Sequence, residues 1–207
     1  MTDQLAYSVH SAERTVTPAF TLNQIGGWAY EQAVDSERYP RMNLSTAQLM
    51  CALTLEAVLN HVGQCLICDD AGESALWDAV ERLSPKQKLL VIAERLRVGI
   101  DFGILPFQDF KAIFDFRNDL AHAKSMHLST SDIPGEAVSS DHYLDVEKVP
   151  GLLADWEKQV SQPNAKRWRE SVRAMSVTLC EAADCMNPLI VGEPSSWGGS
   201  WSPVDGA

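Results

Sequence analysis

The sequence predicts an all-α fold, and three features predict it. Signals for strands are scarce, helix-start signals recur, and apolar residues return at three- and four-residue steps. The 207 residues are 45% hydrophobic and 22% charged, which is ordinary globular composition and excludes disorder over the whole length. A chain of this size buries a substantial core as one domain with extensions.

The elements follow in order. Thr17-Pro18 caps a first helix running to about Glu37, with Gly26-Gly27 weakening its middle. Asn43 or Ser45 opens a stronger second helix, whose Leu49, Leu53, Val58, Leu59, Val62 and Leu66 make one apolar face. Gly72 to Leu83 is a short helix. Ser84-Pro85-Lys86-Gln87 then reads as a new start, with Ser at the cap, Pro at the first helical position and Gln three residues on. Gly99 and Gly103 end that helix. Pro106 starts the next, which carries Phe107, Phe110, Ile113, Phe114 and Leu120 and lasts to about Lys124. From His127 to Asp145 the composition turns to Ser, Asp, Pro and Gly, a long exposed loop. A helix from about Val149 to Val160 follows, and Pro163-Asn164 begins the last long one, through about Met186. The tail beyond Asn187-Pro188 has no helical period; its Trp197 and Trp201 are expected to dock on the body or on a partner. The division expected is 1–42 as an N-terminal extension with one helix, 43–186 as the helical domain and 187–207 as the tail.

A net charge of −11 argues against a protein that coats nucleic acid through bulk charge, while leaving room for a small basic site on an acidic body. Residues 1–5 show no basic region followed by an apolar one, and every apolar stretch is interrupted by Glu, Asn, His or Arg. The expectation is a cytoplasmic protein with neither secretory signal nor membrane span. Five cysteines, an odd number, fit reduced thiols. Cys65-Leu66-Ile67-Cys68 has the spacing of half a zinc site but lacks a second such pair, and Cys180 and Cys185 are spaced unlike a knuckle. Buried thiols at helix ends are the better reading, so neither a metal nor another cofactor is expected.

The segment Phe116-Arg117-Asn118-Asp119-Leu120-Ala121-His122 stands above this background. Helical residues turn by about 100° each. Asn118 and His122 therefore share a face, and the long Arg117 side chain, about 140° away from His122, reaches the same volume. A fixed cation, an amide and an imidazole together suit a phosphodiester. Arg binds phosphate oxygens bidentately, His moves protons near neutral pH, and in RNA the 2′-OH is the nucleophile. The same Arg and His at a helix C-terminus also cap carbonyls and stabilise the macrodipole. Glu56 and Asn60, four apart on an apolar helix, look inward. A buried Glu56 needs a cation, and Arg117 serves it either as structural anchor or while remaining a phosphate ligand. Lys111 and Lys124 raise the potential beside the motif. Asp119 belongs on the opposite, solvated side, and His61 or His127 offers a second histidine or a capping group. Lys166, Arg167, Arg169 and Arg173 surround Trp168, either as a backbone-tracking patch with a stacking aromatic or as a solvated face. The acidic run from Asp132 to Glu147 repels nucleic acid, binds a basic partner or is simply solvated.

The motif resembles the R-x4–6-H signature of the HEPN superfamily, in which the first intervening residue is commonly Asn, Asp or His. The helix Ala52 to Asn60 resembles the one that HEPN domains pack beside their motif helix, and the likeness extends over about residues 43–186. The resemblance implies an up-and-down bundle, dimerised so that two motif helices face a shared cleft; the irregular extensions at both ends match no part of it. In active members it implies metal-independent RNA cleavage, with His122 as general acid/base, Arg117 on the scissile phosphate and Asn118 orienting either. Glu56, Asn60 and Lys124 would support the site. The reading expected is thus a toxin- or defence-like endoribonuclease acting on RNA as a homodimer, with a protein partner such as an antitoxin. The alternative is a non-catalytic HEPN-type module for interaction or nucleotide binding.

Overall fold

The computed structural model describes residues 7–13, 18–35, 40–68, 74–122, 125, 127–137, 146–189 and 198–203. Among these the body is all-α. Its helices are α1 (Pro18–Asp35), α2 (Pro40–Ile67), α3 (Ala75–Glu81), α4 (Pro85–Leu96), α5 (Gln108–Ala121), α6 (Asp155–Lys158) and α7 (Gln162–Ala182). Outside it, β1 (Tyr7–Glu13) and β2 (Gly198–Pro203) pair antiparallel, Tyr7 opposite Pro203 and Glu13 opposite Gly198. The two ends of the chain therefore meet in one ribbon. Val9 stands opposite Trp201, while Trp197 and Lys124 lie outside the described residues.

Local sequence explains most boundaries. Ser84 and Gln87 close the capping box that their spacing predicts: the Ser84 hydroxyl accepts from the Gln87 N–H, and the Ser84 N–H donates to Gln87 Oε1. Ser74 and Ser161 cap α3 and α7 in the same way, accepting from the N–H groups of Trp77 and Asn164. One expected element is corrected. In place of a helix over 149–160 the chain forms a 3-10 turn at Pro150–Leu152 and the single turn of α6. Side chains cap the carbonyls at the end of α6. Gln159 O accepts from Gln48 Nε2 and Asn164 Nδ2, and Glu157 O accepts from Arg41 Nη2.

α2 is the axis of the fold, contacting α1, α3, α4, α5 and α7. Its Leu55, Val58, Leu59 and Val62 are fully buried, against Leu89 and Ile92 of α4, Ile113 and Phe116 of α5, and Met175 and Leu179 of α7. Burial of each such side chain contributes about 1.5–3 kcal/mol. The Gly26-Gly27 pair lets α1 approach closely: a Cβ on Gly26 would stand 2.9 Å from that of Met50. α2 is long and apolar enough to cross a membrane by length and composition, with a mean hydropathy of 1.3 over its best window, half of which is buried within the fold. Its interrupting Glu56, Asn60 and His61 are too few to lower that average.

Candidate functional site

The motif occupies the last turn of α5, and that helix is fixed at both ends. Near its start the buried Asp109 accepts from the Ser171 hydroxyl at 2.7 Å and pairs with Arg167 Nε at 3.1 Å, tying α5 to α7. One residue before the motif, Phe116 is fully buried and meets the Trp168 ring edge-on at 5.5 Å. Arg117 is thereby held at the rim, with its side chain 31% exposed.

The Arg117 guanidinium faces α2. Its Nη2 donates to Glu56 Oε2 at 3.3 Å, and its Nη1 donates to Asn118 Oδ1 at 3.0 Å. An arginine has five N–H donors, so three remain for a ligand on the exposed side. Both anticipated roles of Arg117 are therefore compatible with one geometry. His122 closes α5, its backbone N–H donating to Asn118 O at 2.9 Å, and its imidazole is exposed, without a hydrogen-bond partner among the described residues. Asn118 thus touches both other members of the motif, Arg117 through its side chain and His122 through its carbonyl.

Asn60, one turn along α2 from Glu56, accepts from Lys88 Nζ at 2.5 Å. Lys88 is 1% exposed. Burial lowers the pKa of its ammonium, opposed by the negative charges of Glu56 and Glu81. Glu56 thus stands between two cations, Arg117 and Lys88, along one edge of α2. Sequence reasoning missed Lys88 because a lysine followed by an apolar stripe reads as solvated. It missed the Asp109 anchor because a single carboxylate in a first helical turn normally caps in solvent.

The other residues fall as follows. Asp119 and His127 are exposed. Lys111 forms an ion pair with Asp115 that offsets its charge beside the motif and raises its pKa. The basic cluster on α7 is not a nucleic-acid platform as a unit. Trp168 is 1% exposed and belongs to the core, Arg167 serves Asp109, and Arg169 lies over the Tyr30 ring at 5.9 Å. The i, i+4 rhythm of α7 turns Trp168 inward with Val172 and Met175, which removes it from any base.

A second cluster forms where α2 and α7 both end. His61 donates from Nε2 to the Met186 carbonyl at 2.9 Å and lies 3.9 Å from Cys65 Sγ. The Cys185 thiol contacts those of Cys65 and Cys180. All five cysteines are outside disulfides. Burial, and then the charge of Cys185, pushes Cys65 up to about 11; burial, and then the charge of Cys180, pushes Cys185 up to about 11; and burial pushes Cys51 up to about 12.

No protein-family model, no curated protein and no solved structure matches the chain.

Proposed function

We propose that the protein is a HEPN-like endoribonuclease that cleaves RNA without a metal ion and acts as a homodimer. The observation that carries this reading is the end of α5. Arg117, supported by Glu56 and still partly exposed, sits with Asn118 and the exposed His122 on one helix end. His122 takes the proton of the RNA 2′-OH, and the freed oxygen attacks the adjacent phosphorus. The P–O5′ bond breaks and the leaving oxygen takes a proton from the imidazolium of the second copy, giving a 2′,3′-cyclic phosphate and a 5′-OH. Arg117 neutralises the non-bridging oxygens as charge builds on them, and Asn118 fixes the guanidinium plane. Reduced cysteines fit a cytoplasmic protein, and an exposed site fits a toxin-like enzyme held by a partner such as an antitoxin.

A second reading has an observation of its own. The Glu56–Arg117 pair and the net charge of −11 suit a non-catalytic module that dimerises or binds nucleotides through the same residues. Incubation with a mixed RNA pool in EDTA, wild type beside His122→Ala, separates the two. Cleavage by the wild type alone supports the enzyme, and cleavage by neither supports the module.

A further inference from the structure

Beside the RNA site, and independent of it, the C-terminal ends of α2 and α7 bring three soft donors into one small volume. His61 and Cys65 are four residues apart, one above the other on the same face of α2. Cys185 arrives from the turn that ends α7. Asp184 adopts a left-handed backbone, φ 52°, which folds the chain back so that the Cys185 N–H donates to Cys180 O at 3.0 Å. One donor atom from each of His61, Cys65 and Cys185 lies within 4.8 Å of the other two, with His61 Nε2 and Cys65 Sγ at 3.9 Å. Bond lengths of about 2.3 Å to sulfur and 2.0–2.1 Å to imidazole nitrogen put tetrahedral ligand atoms about 3.5–3.8 Å apart. The cluster therefore needs a contraction of no more than about 1 Å to close on an ion.

We infer that His61, Cys65 and Cys185 form a zinc-binding site. Two thiolates and an imidazole select a borderline-soft d10 ion and reject Mg2+ and Ca2+, which take oxygen ligands. On binding, His61 Nε2 exchanges the Met186 carbonyl for the ion. That carbonyl turns to water, which the 66% exposure of Met186 allows. Zn2+ displaces two thiol protons to solvent, and nothing is oxidised or reduced. Solvent fills the fourth position, because Cys65 is on the surface. Cys180 lies behind Cys185, buried and in hydrogen-bond contact with its sulfur, and acts as a positioning residue. The imidazole in the same cluster favours a metal over a disulfide, which would use the two sulfurs alone. The Cys65-x-x-Cys68 spacing points to the wrong partner: Cys185 supplies the second sulfur.

The test is titration of the reduced, metal-free full-length protein with Co2+, followed by displacement with Zn2+. One equivalent should give an intense thiolate-to-cobalt band and tetrahedral visible bands, both abolished by Zn2+. Native mass spectrometry should show one zinc gained and two protons lost. Cys65→Ser and Cys185→Ser should lose the intense band while keeping wild-type circular dichroism, His61→Ala should weaken binding, and Cys180→Ser should weaken it about tenfold. Cys68→Ser should bind as the wild type does. The inference is overturned if the wild type gives no thiolate band, or if Cys68→Ser loses the band and Cys185→Ser keeps it. It is equally overturned if Cys65 and Cys185 prove joined by a disulfide and the protein, once reduced, still takes up no metal.

Discussion

Replacing Gly63 by Ala adds one methyl group near the C-terminal end of α2, where helix propensity alone would make it stabilising by up to about 0.8–1.0 kcal/mol. The structure reverses that sign. A Cβ at Gly63 would stand 2.2 Å from Cζ3 and 2.6 Å from Cη2 of Trp77, whereas an ordinary contact begins at 3.4 Å. The indole is 4% exposed and wedged between α2 and α3, so it cannot swing away without moving the short α3. Overpacking of this kind costs about 1–3 kcal/mol, and a shortfall above 1 Å against a rigid ring belongs near the top of that range. The net effect should be a loss of about 1–2 kcal/mol, or roughly 2–8 °C in Tm for a chain of this size. The decisive assay is a double-mutant cycle read by thermal and urea unfolding. Trp77→Leu alone should destabilise, by about 2 kcal/mol. In that background Gly63→Ala should change sign and stabilise by up to about 1 kcal/mol, since the ring is gone. If Gly63→Ala raises Tm equally in both backgrounds, the packing of α3 against α2 described above is wrong.

Four further outcomes are expected. Asp109→Ala should cost about 2–3 kcal/mol in denaturant unfolding, because it removes the buried acceptor of Ser171 and Arg167 that holds α5 on α7. Arg97, which ends α4 in a left-handed conformation at φ 56°, should give way to Gly with a gain of about 0.5–1 kcal/mol in Tm-derived stability. The Cys51 thiol stays protonated in the fold up to about pH 12 but ionises near 9 when unfolded, so the folded state holds the extra proton. Stability should therefore fall as pH rises from 9 towards 12, and Cys51→Ala should flatten that slope in pH-dependent urea melts. Arg117→Ala should lose RNA cleavage yet cost under about 1 kcal/mol of stability, since its pair with Glu56 is about one-third exposed on both sides.

Much of the helical body was legible because its signals are local. The Ser84–Gln87 box, the Pro163-Asn164 start of α7 and the apolar rhythm of α2 each act within one or two turns. The motif was legible as a string, and its link to Glu56 followed from the need of an inward carboxylate for a cation. What was not legible depends on distant partners. Residues 7–13 alternate Tyr, Val and Ser with Ser, His and Ala, a weak strand pattern whose partner lies almost the whole chain away. The expected helix over 149–160 is reduced to a 3-10 turn and one α-turn, whose last carbonyls are capped by Arg41, Gln48 and Asn164, two of them far off in sequence. Trp168 read as a surface aromatic among four cations until Phe116 gave it a neighbour. The same holds for Cys185, which meets His61 and Cys65 only once α2 and α7 lie side by side.

The measurement closest to the central claim is RNA cleavage in EDTA by wild type, His122→Ala and the zinc-site variant Cys185→Ser, with the product ends identified. Wild type and Cys185→Ser should both cleave and leave 2′,3′-cyclic phosphate and 5′-OH ends, while His122→Ala should be folded and silent. Cleavage that persists in His122→Ala, or absence of cleavage in all three, would contradict the assignment of α5's last turn as the catalytic centre.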